Sequence, residues 1–243
     1  MAASDRSYPS VWLRPRREPR STLTRDRIVS EALRLLDAEG AEALSMRKLA
    51  AALGVGATSL YWHVANRDEL IELVVNEVNG ELDVPDADEV HDWREATRRF
   101  AHSMRSGIVR HRWVVSELAH VVAAVPGPNL SRVTERMLAV LEAAGFPLPE
   151  AERALNTVSA YVAGIALSEA ALHGLLARHG QTPQEWLDEV MSAADEVTEG
   201  HERLRTITTG YADTDPQQAV DEDFEYGLER LLDGLQARLE PST

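Results

Sequence analysis

Residues 45–73 read SMRKLAAALGVGATSLYWHVANRDELIEL, and they contain the strongest structural pattern in the chain. Ser45 is a favourable N-cap for a short helix over Met46–Leu53, and Gly54-Val55-Gly56 ends that helix. A second short helix is predicted over residues 57–63. Two short helices joined by a glycine turn are typical of a helix-turn-helix unit, which is a common DNA-binding motif.

Helices are also predicted on both sides of this pair. Upstream, apolar residues at 28, 32, 35 and 36 fall on one face of a helix that Thr24 can cap and Gly40 can end. Downstream, Asn66 and Glu69 have the spacing of a capping box and begin a longer helix. A supporting helix before the pair and a long helix after it complete the pattern of a three-helix DNA-binding unit.

The geometry of such a unit sorts its side chains into two sets. The residues expected where the helices meet are Leu49, Ala50, Ala51, Leu53, Val55 and Leu60. The residues expected on the outer face of the second helix, where small, hydroxyl and aromatic groups can approach DNA, are Ala57, Thr58, Ser59, Tyr61, Trp62 and His63. An ordinary helical hairpin with core aromatics stays open as an alternative. A glycine-rich phosphate loop is disfavoured because it should follow a strand.

The formal net charge of −15 is unevenly distributed along the 243 residues. Residues 1–67 carry 11 basic and 7 acidic side chains, and the rest of the chain carries 14 basic and 33 acidic ones. A basic N-terminal segment on an acidic body is typical of a DNA-binding domain joined to an effector domain, although a chance fluctuation would look the same.

Residues 1–23 are predicted to form a flexible basic arm, since prolines at 9, 15 and 19 prevent a helix. We expect this arm to place arginines in the minor groove of DNA beside the main contact, against the alternative of a passive tail. The arginines expected to contact DNA are Arg14, Arg16, Arg17 and Arg20.

The rest of the chain is predicted to be helical, so the fold class is all-α. The expected helices cover residues 91–110, 112–124, 128–144, 149–179, 183–198 and 217–239, with a mobile loop over 199–216. An acidic, proline-containing break at 83–89 separates a DNA-binding domain over 24–82 from an effector-binding and dimerisation domain over 88–243.

Several classes of protein are disfavoured by composition. The chain has no cysteine, which removes disulfides and thiolate metal sites and fits a reducing compartment. No signal peptide and no membrane-spanning run are predicted, so we expect a cytoplasmic protein. A lone Glu117-x-x-His120 lacks the second copy that a di-iron site needs, so neither a metal, a cofactor nor an enzymatic activity is predicted.

The quoted stretch resembles the DNA-binding domain of TetR-family repressors, and the string Leu60-Tyr61-Trp62-His63-Val64 is similar to their tetracycline-repressor branch. The resemblance covers residues 24–82, and residues 224–235 are similar to the last helix of that branch. It implies a homodimer that binds an inverted-repeat operator in double-stranded DNA. By position, it implies that Ser45 and Arg47 contact DNA, with Arg47 donating to a guanine. It also implies that residues 57–59 face bases, and that phosphates are held by Tyr61, Trp62, His63 and Arg67.

The resemblance also implies a small-molecule effector, which we expect to be largely apolar, aromatic or polyketide-like. The candidate lining residues are Trp93, Phe100, Met104, Trp113, Leu118, Met137, Asn156 and Tyr161. Phe100 and Leu118 stand where tetracycline repressors have an asparagine and a metal-ligating histidine, so tetracycline with magnesium is not the expected ligand.

Two stripes of apolar residues at 3,4 spacing, one over residues 155–176 and one over residues 220–239, are candidates for the dimer interface. Such stripes more often form the core within one chain. The resemblance favours the interface, with Gly164, Gly227 and Gly234 permitting close approach. The expected interface residues are Leu155, Val162, Ile165, Phe224, Leu228, Leu231 and Leu235. The function predicted is therefore a ligand-responsive repressor of an efflux or antibiotic-related gene. The alternative is a helical binding protein or enzyme with an incidental helix-turn-helix.

Overall fold

The computed structural model describes residues 23–86, 92–117, 125–198, 200–211 and 214–239, and within them all regular structure is helical. The all-α prediction is confirmed. The helices are α1 (Arg25–Glu39), α2 (Met46–Ala52), α3 (Ala57–Tyr61), α4 (Arg67–Gly80), α5 (Trp93–Arg110), α6 (Pro128–Ala143), α7 (Leu148–His179), α8 (Pro183–Val197), α9 (Glu202–Tyr211) and α10 (Pro216–Leu239). Single turns of 3₁₀ helix lie at Ala41–Ala43 and Arg112–Val115.

The first helices begin at the caps that the sequence predicts. The side chains of Thr24, Ser45 and Asn66 accept hydrogen bonds from backbone N–H groups three residues later, at 3.2, 3.2 and 2.8 Å. The Glu69 carboxylate accepts from the N–H of Ala65 at 2.9 Å, one residue before the partner that a capping box would use. Local sequence therefore determines where these helices start.

The turn between α2 and α3 needs a glycine at one position. Gly54 has φ +68°, a left-handed conformation that side chains with a Cβ rarely adopt. The N–H of Val55 then donates to Ala50 O at 3.0 Å, which turns the chain into α3. Leu49, Ala50, Leu53 and Leu60 are buried here as predicted. Ala51 is exposed, so its predicted place between the helices is wrong.

The chain divides into two compact units, Met1–Ala144 and Gly145–Thr243. This division differs from the predicted boundary at 83–89, because α5 and α6 belong with the helix-turn-helix. Asn129, in the first turn of α6, shows why. Its N–H donates to Asn76 Oδ1 and its Nδ2 to Asn76 O, both at 2.9 Å, so α4 and α6 are clasped through a pair of amides.

Two predictions about the middle of the chain are wrong in the described residues. Of the predicted helix over 112–124, the described part contains a 3₁₀ turn at Arg112–Val115 and no α-helix, and residues 118–124 lie outside the described residues. The predicted loop over 199–216 contains helix α9. Polar residues together with Gly200, Gly210 and Pro216 predict the loop, but the hydroxyl of Thr206 donates to Glu202 O at 3.0 Å and so fits within a helix.

The C-terminal unit, Gly145–Thr243, is organised by α7 and α10. Val162, Phe224, Leu228 and Leu232 have no exposed surface. The Tyr161 ring stacks on that of Phe224 at 5.9 Å between centroids. The Tyr161 hydroxyl donates to Phe224 O at 2.9 Å, so this tyrosine ties the two helices together.

Candidate nucleic-acid interface

Helix α3 presents the outer face that the sequence predicts. Thr58 and Ser59 are exposed, Tyr61 is 50% exposed and Trp62 is 66% exposed. Ala57 and His63 are half-buried beside them, while Leu60 has no exposed surface. Large aromatic side chains exposed beside hydroxyls, on a short helix anchored by one buried leucine, form a surface suited to base edges and phosphates.

The end of α3 is held by α1. Arg25 Nη2 donates to the backbone oxygen of His63 at 3.1 Å, and the N–H of His63 donates to Leu60 O at 2.8 Å. A five-residue helix has little stability of its own, so these bonds and the core beneath it determine its orientation.

Arg47 lies in the first turn of α2 and is exposed. The neighbouring Lys48 is paired with Glu39, so its ammonium is partly neutralised. The hydroxyl of Ser45 caps α2 by accepting from the N–H of Lys48. Arg47 is therefore the exposed cation of α2 among the described residues, next to the exposed face of α3.

Arg67, for which the resemblance implied a phosphate contact, forms an ion pair within the chain. Its Nη2 lies 2.5 Å from Glu117 Oε1 and also donates to Ala41 O at 3.1 Å. The Glu117 side chain is only 6% exposed. The Glu117 hydrogen bonds raise the pKa of Arg67, which is held as the charged form. In this structure Arg67 is an internal strut between α4 and the segment after α5.

A second joint within the same unit was missed by sequence reasoning. His111 is 2% exposed, with Nδ1 2.7 Å from Asp37 Oδ1 and Nε2 3.2 Å from Glu81 Oε2. Arg110 Nη1 donates to Glu81 Oε2 at 2.8 Å. This cluster joins α1, the end of α4 and the end of α5. Its members are far apart in sequence, and no local pattern marks them.

Trp113 belongs to that joint and not to an effector pocket as predicted. Its indole N–H donates to Asp37 Oδ1 at 2.9 Å, and its ring packs in the core beneath α1–α4. The indole is therefore a structural part of the DNA-binding helices. Its apolar, aromatic character was visible in the sequence, but its partner, 76 residues away, was not.

The other effector-site candidates fall into two groups. In the first unit, Phe100 and Met137 are buried on α5 and α6, while Trp93 and Met104 are half-buried on α5. In the C-terminal unit, Asn156 is exposed. The Tyr161 hydroxyl donates to Phe224 O of α10, and its assignment as a lining residue stays a prediction. Leu118 and the arm arginines Arg14, Arg16, Arg17 and Arg20 lie outside the described residues.

The candidate dimer residues also divide. Four of them are buried within one chain, where they pack in its own core, and their assignment to the interface stays a prediction: Leu155, Val162, Phe224 and Leu228. Ile165, Leu231 and Leu235 keep part of their surface exposed. Gly227 does permit a close approach, but to Tyr161 of the same chain, because a Cβ there would lie 2.7 Å from the Tyr161 Cε2.

Comparison with known proteins agrees with this arrangement. A family model described as bacterial regulatory proteins, tetR family, matches residues 28–74, and one described as the C-terminal domain of tetracyclin repressor-like proteins matches residues 84–239. An HTH-type transcriptional regulator of Saccharopolyspora erythraea is 36% identical over 69% of this chain and 71% of its own length. The HTH-type transcriptional repressor DrrR1 of Streptomyces coeruleorubidus is 32% identical over 92% of this chain and 81% of its own.

Solved structures show the same relationship. The TetR family protein ActR of Streptomyces coelicolor, in complex with actinorhodin, has a TM-score of 0.75 and 32% identity, and the match covers 92% of this chain and 100% of ActR. Together the two family models cover the helix-turn-helix and the C-terminal helices, and the matches to DrrR1 and ActR each span 92% of this chain. The chain belongs to the TetR family of bacterial transcriptional regulators.

Proposed function

We propose that this regulator is a homodimeric repressor that inserts α3 into the major groove of an inverted-repeat operator and leaves it when a small, largely apolar effector binds. The observation that carries the proposal is the exposed face of α3, with Tyr61 and Trp62 at 50% and 66% exposure on a helix whose inner side is fully buried. Exposed aromatics of this size mark an interaction surface.

The residues of the proposed DNA contact fall into a reading group, which contacts bases, and a holding group, which contacts phosphates. Arg47 is placed to donate to a guanine edge, and residues 57–59 are small enough to bring the backbone of α3 close to bases. Tyr61, Trp62 and His63 hold the phosphates. Arg67 is excluded from the holding group because Glu117 occupies its guanidinium. A dimer with two such heads needs half-sites about one helical turn apart.

The proposed dimer interface is the face of α7 and α10 that this chain leaves uncovered. Helix α7 is long and apolar enough to cross a membrane by length and composition, contrary to the expectation from sequence, and only 28% of its most apolar window is buried. Family membership favours a second subunit, and not lipid, as the cover for that surface. Ile165, Leu231 and Leu235 lie there with Gly164 and Gly234, neither of which has an atom within 4 Å of an added Cβ.

The proposed effector site uses Phe100, Met104 and Met137 on α5 and α6. These helices belong to the same compact unit as the reading head, and the Asn76–Asn129 clasp joins α6 to α4. A ligand that shifts α6 therefore displaces α4 and the helices packed on it. Binding of actinorhodin to ActR supports an effector with an organic body of this kind. To empty the operator, the ligand must prefer the DNA-free arrangement by several kcal/mol.

Fluorescence anisotropy with the DNA upstream of the chain's own gene tests operator binding. We expect saturable, salt-dependent binding of one dimer per inverted repeat. The paired variant Tyr61→Ala/Trp62→Ala should lose at least about tenfold in affinity. The matched control Leu204→Ala/Ile207→Ala also removes two exposed apolar side chains and should bind normally. Equal loss in both variants, or no specific binding at all, would contradict the proposal.

A further inference from the structure

A cavity in the C-terminal unit shares Ile165 with the dimer surface proposed above, but the proposed DNA contact and effector site do not use it. It has a volume of about 390 Å³ and lies between α7, α8 and α10. Helix α7 lines it with one face, at positions 165, 168, 169, 172 and 173. Three packed helices thus enclose a space within the size range of small-molecule sites.

The walls of the cavity are mainly apolar. Ile165 and Leu172 come from α7, Leu187 and the indole of Trp186 from α8, and Val220 from α10. Surfaces of this kind bind the hydrocarbon or aromatic part of a ligand, because apolar contact removes both partners from water.

The charge of the lining is one-sided. Two carboxylates, Glu169 and Asp223, and one imidazole, His173, contribute to it, and the described lining residues include no lysine or arginine. Glu169 is only 8% exposed, and Gln217 Nε2 donates to its Oε1 at 3.2 Å. A carboxylate in such a place attracts a cation more strongly than one in bulk water, because the local dielectric is low.

From these features we infer that the cavity binds a small molecule that joins a protonated amine to an apolar, ring-containing body. The ammonium group pairs with Glu169, with Asp223 adding a second negative charge at the rim. The body fills the space beside Leu172 and Leu187, and Trp186 offers its ring to the cation as well. The same charges exclude carboxylates and phosphates of similar shape. This site is separate from the α5–α6 residues and does not depend on the effector proposal.

A charge-matched ligand series tests the inference by isothermal titration calorimetry on the full chain at pH 7.5. The probes are a naphthylalkyl amine and the alcohol and carboxylate with the same carbon skeleton. At this pH the amine is protonated, since alkylamines titrate near the value of lysine, about 10.4. We expect the amine to bind about tenfold or more tightly than the alcohol and the carboxylate to bind more weakly than either.

Variants separate this site from a general effect of negative charge. Glu169→Gln retains a carbonyl that can accept from Gln217, and it should remove the preference for the amine while leaving alcohol binding within about twofold. Glu222→Gln removes one exposed carboxylate from α10 outside the cavity and should change nothing. Equal binding of amine and alcohol, an unaltered preference in Glu169→Gln, or absence of binding because a second subunit fills the cavity would each overturn the inference.

Discussion

The two compact units differ in how their helices are stabilised. In the first, α2 and α3 have only seven and five residues, and they depend on side-chain caps and on a shared core that buries Leu49 and Leu60 completely. In the second, α7 and α10 have 32 and 24 residues. They bury one side against each other and leave apolar surface on the other.

This difference shows how one chain can combine a rigid reading surface with surfaces available to partners. The DNA-binding helices bury most of their large apolar side chains, and the large ones exposed in or beside α1–α4 are Tyr61 and Trp62. The C-terminal helices keep part of their apolar surface half-exposed, as at Leu231 and Leu235. Substitutions in the two units should therefore affect different properties of the protein, and the following experiments distinguish them.

The largest effect is expected at the α7–α10 contact. A Cβ at Gly227 would lie 2.5 Å from the Tyr161 Cζ, and this ring is held by its hydroxyl bond to Phe224 O. Gly227→Ala should destabilise the C-terminal unit by about 3 kcal/mol in urea unfolding. Gly210→Ala in helix α9, where a Cβ meets nothing within 4 Å, is the control and should be neutral or slightly stabilising. The double variant Tyr161→Ala/Gly227→Ala should be less destabilised than the sum of its single changes.

The Arg67–Glu117 ion pair tests whether the reading head is held from within. Glu117→Gln leaves Arg67 without a charged partner and should cost about 2–3 kcal/mol of stability and weaken operator binding. If Arg67 instead held a phosphate, freeing it from Glu117 would leave operator affinity equal or higher. Thermal unfolding and anisotropy on the same variant therefore distinguish a strut from a DNA contact.

If Arg47 donates to a guanine, its removal should reduce operator affinity through one base pair in each half-site. Arg47→Ala should cost about 1–3 kcal/mol of binding free energy and flatten the preference at one position in each half-site. His63→Ala should weaken all sequences alike, as expected for a phosphate contact. A binding-site selection experiment on both variants checks this, and an Arg47→Ala protein with the preference of the parent would remove the assignment.

The predicted basic arm is expected to affect DNA binding through its charge. A chain lacking residues 1–22 loses five arginines, so the slope of log affinity against log salt should become shallower by about 0.9 for each phosphate that the arm neutralises. Dimerisation and effector response should be unaffected. Identical slopes for the full and shortened chains would show a passive tail.

The smallest effect concerns the cap of α8. Two hydrogen bonds from Thr182 hold the pKa of Glu185 below its ordinary value of 4.5. A depressed pKa means that the cap stabilises α8 above about pH 4.5 and that this contribution is lost as the pH falls through the lower folded value. The amide resonances of Thr182 and Glu185 should shift over that range in the parent. In Glu185→Gln the shift should be absent, and a persistent shift would assign it to another group.

Local sequence is enough to specify the features that depend on neighbours in the chain. The all-α class, the caps at Thr24, Ser45 and Asn66, the turn at Gly54 and the outward face of α3 all follow from residues within four positions of one another. The polar residues and glycines of 199–216 predict a loop, but the hydroxyl of Thr206 donates to a backbone oxygen one turn earlier, within helix α9.

Contacts between residues distant in sequence, by contrast, determine which side chains pack within the chain. Trp113 and Tyr161 look like ligand contacts until their partners, Asp37 and Phe224, appear 76 and 63 residues away. Arg67 looks like a phosphate contact until Glu117 meets it across 50 residues. An apolar stripe likewise has the same spacing whether it faces its own chain or a second one. The spacing of apolar residues along a helix specifies which face is apolar. The contacts that determine whether this face packs within the chain or against a second subunit are distant in sequence.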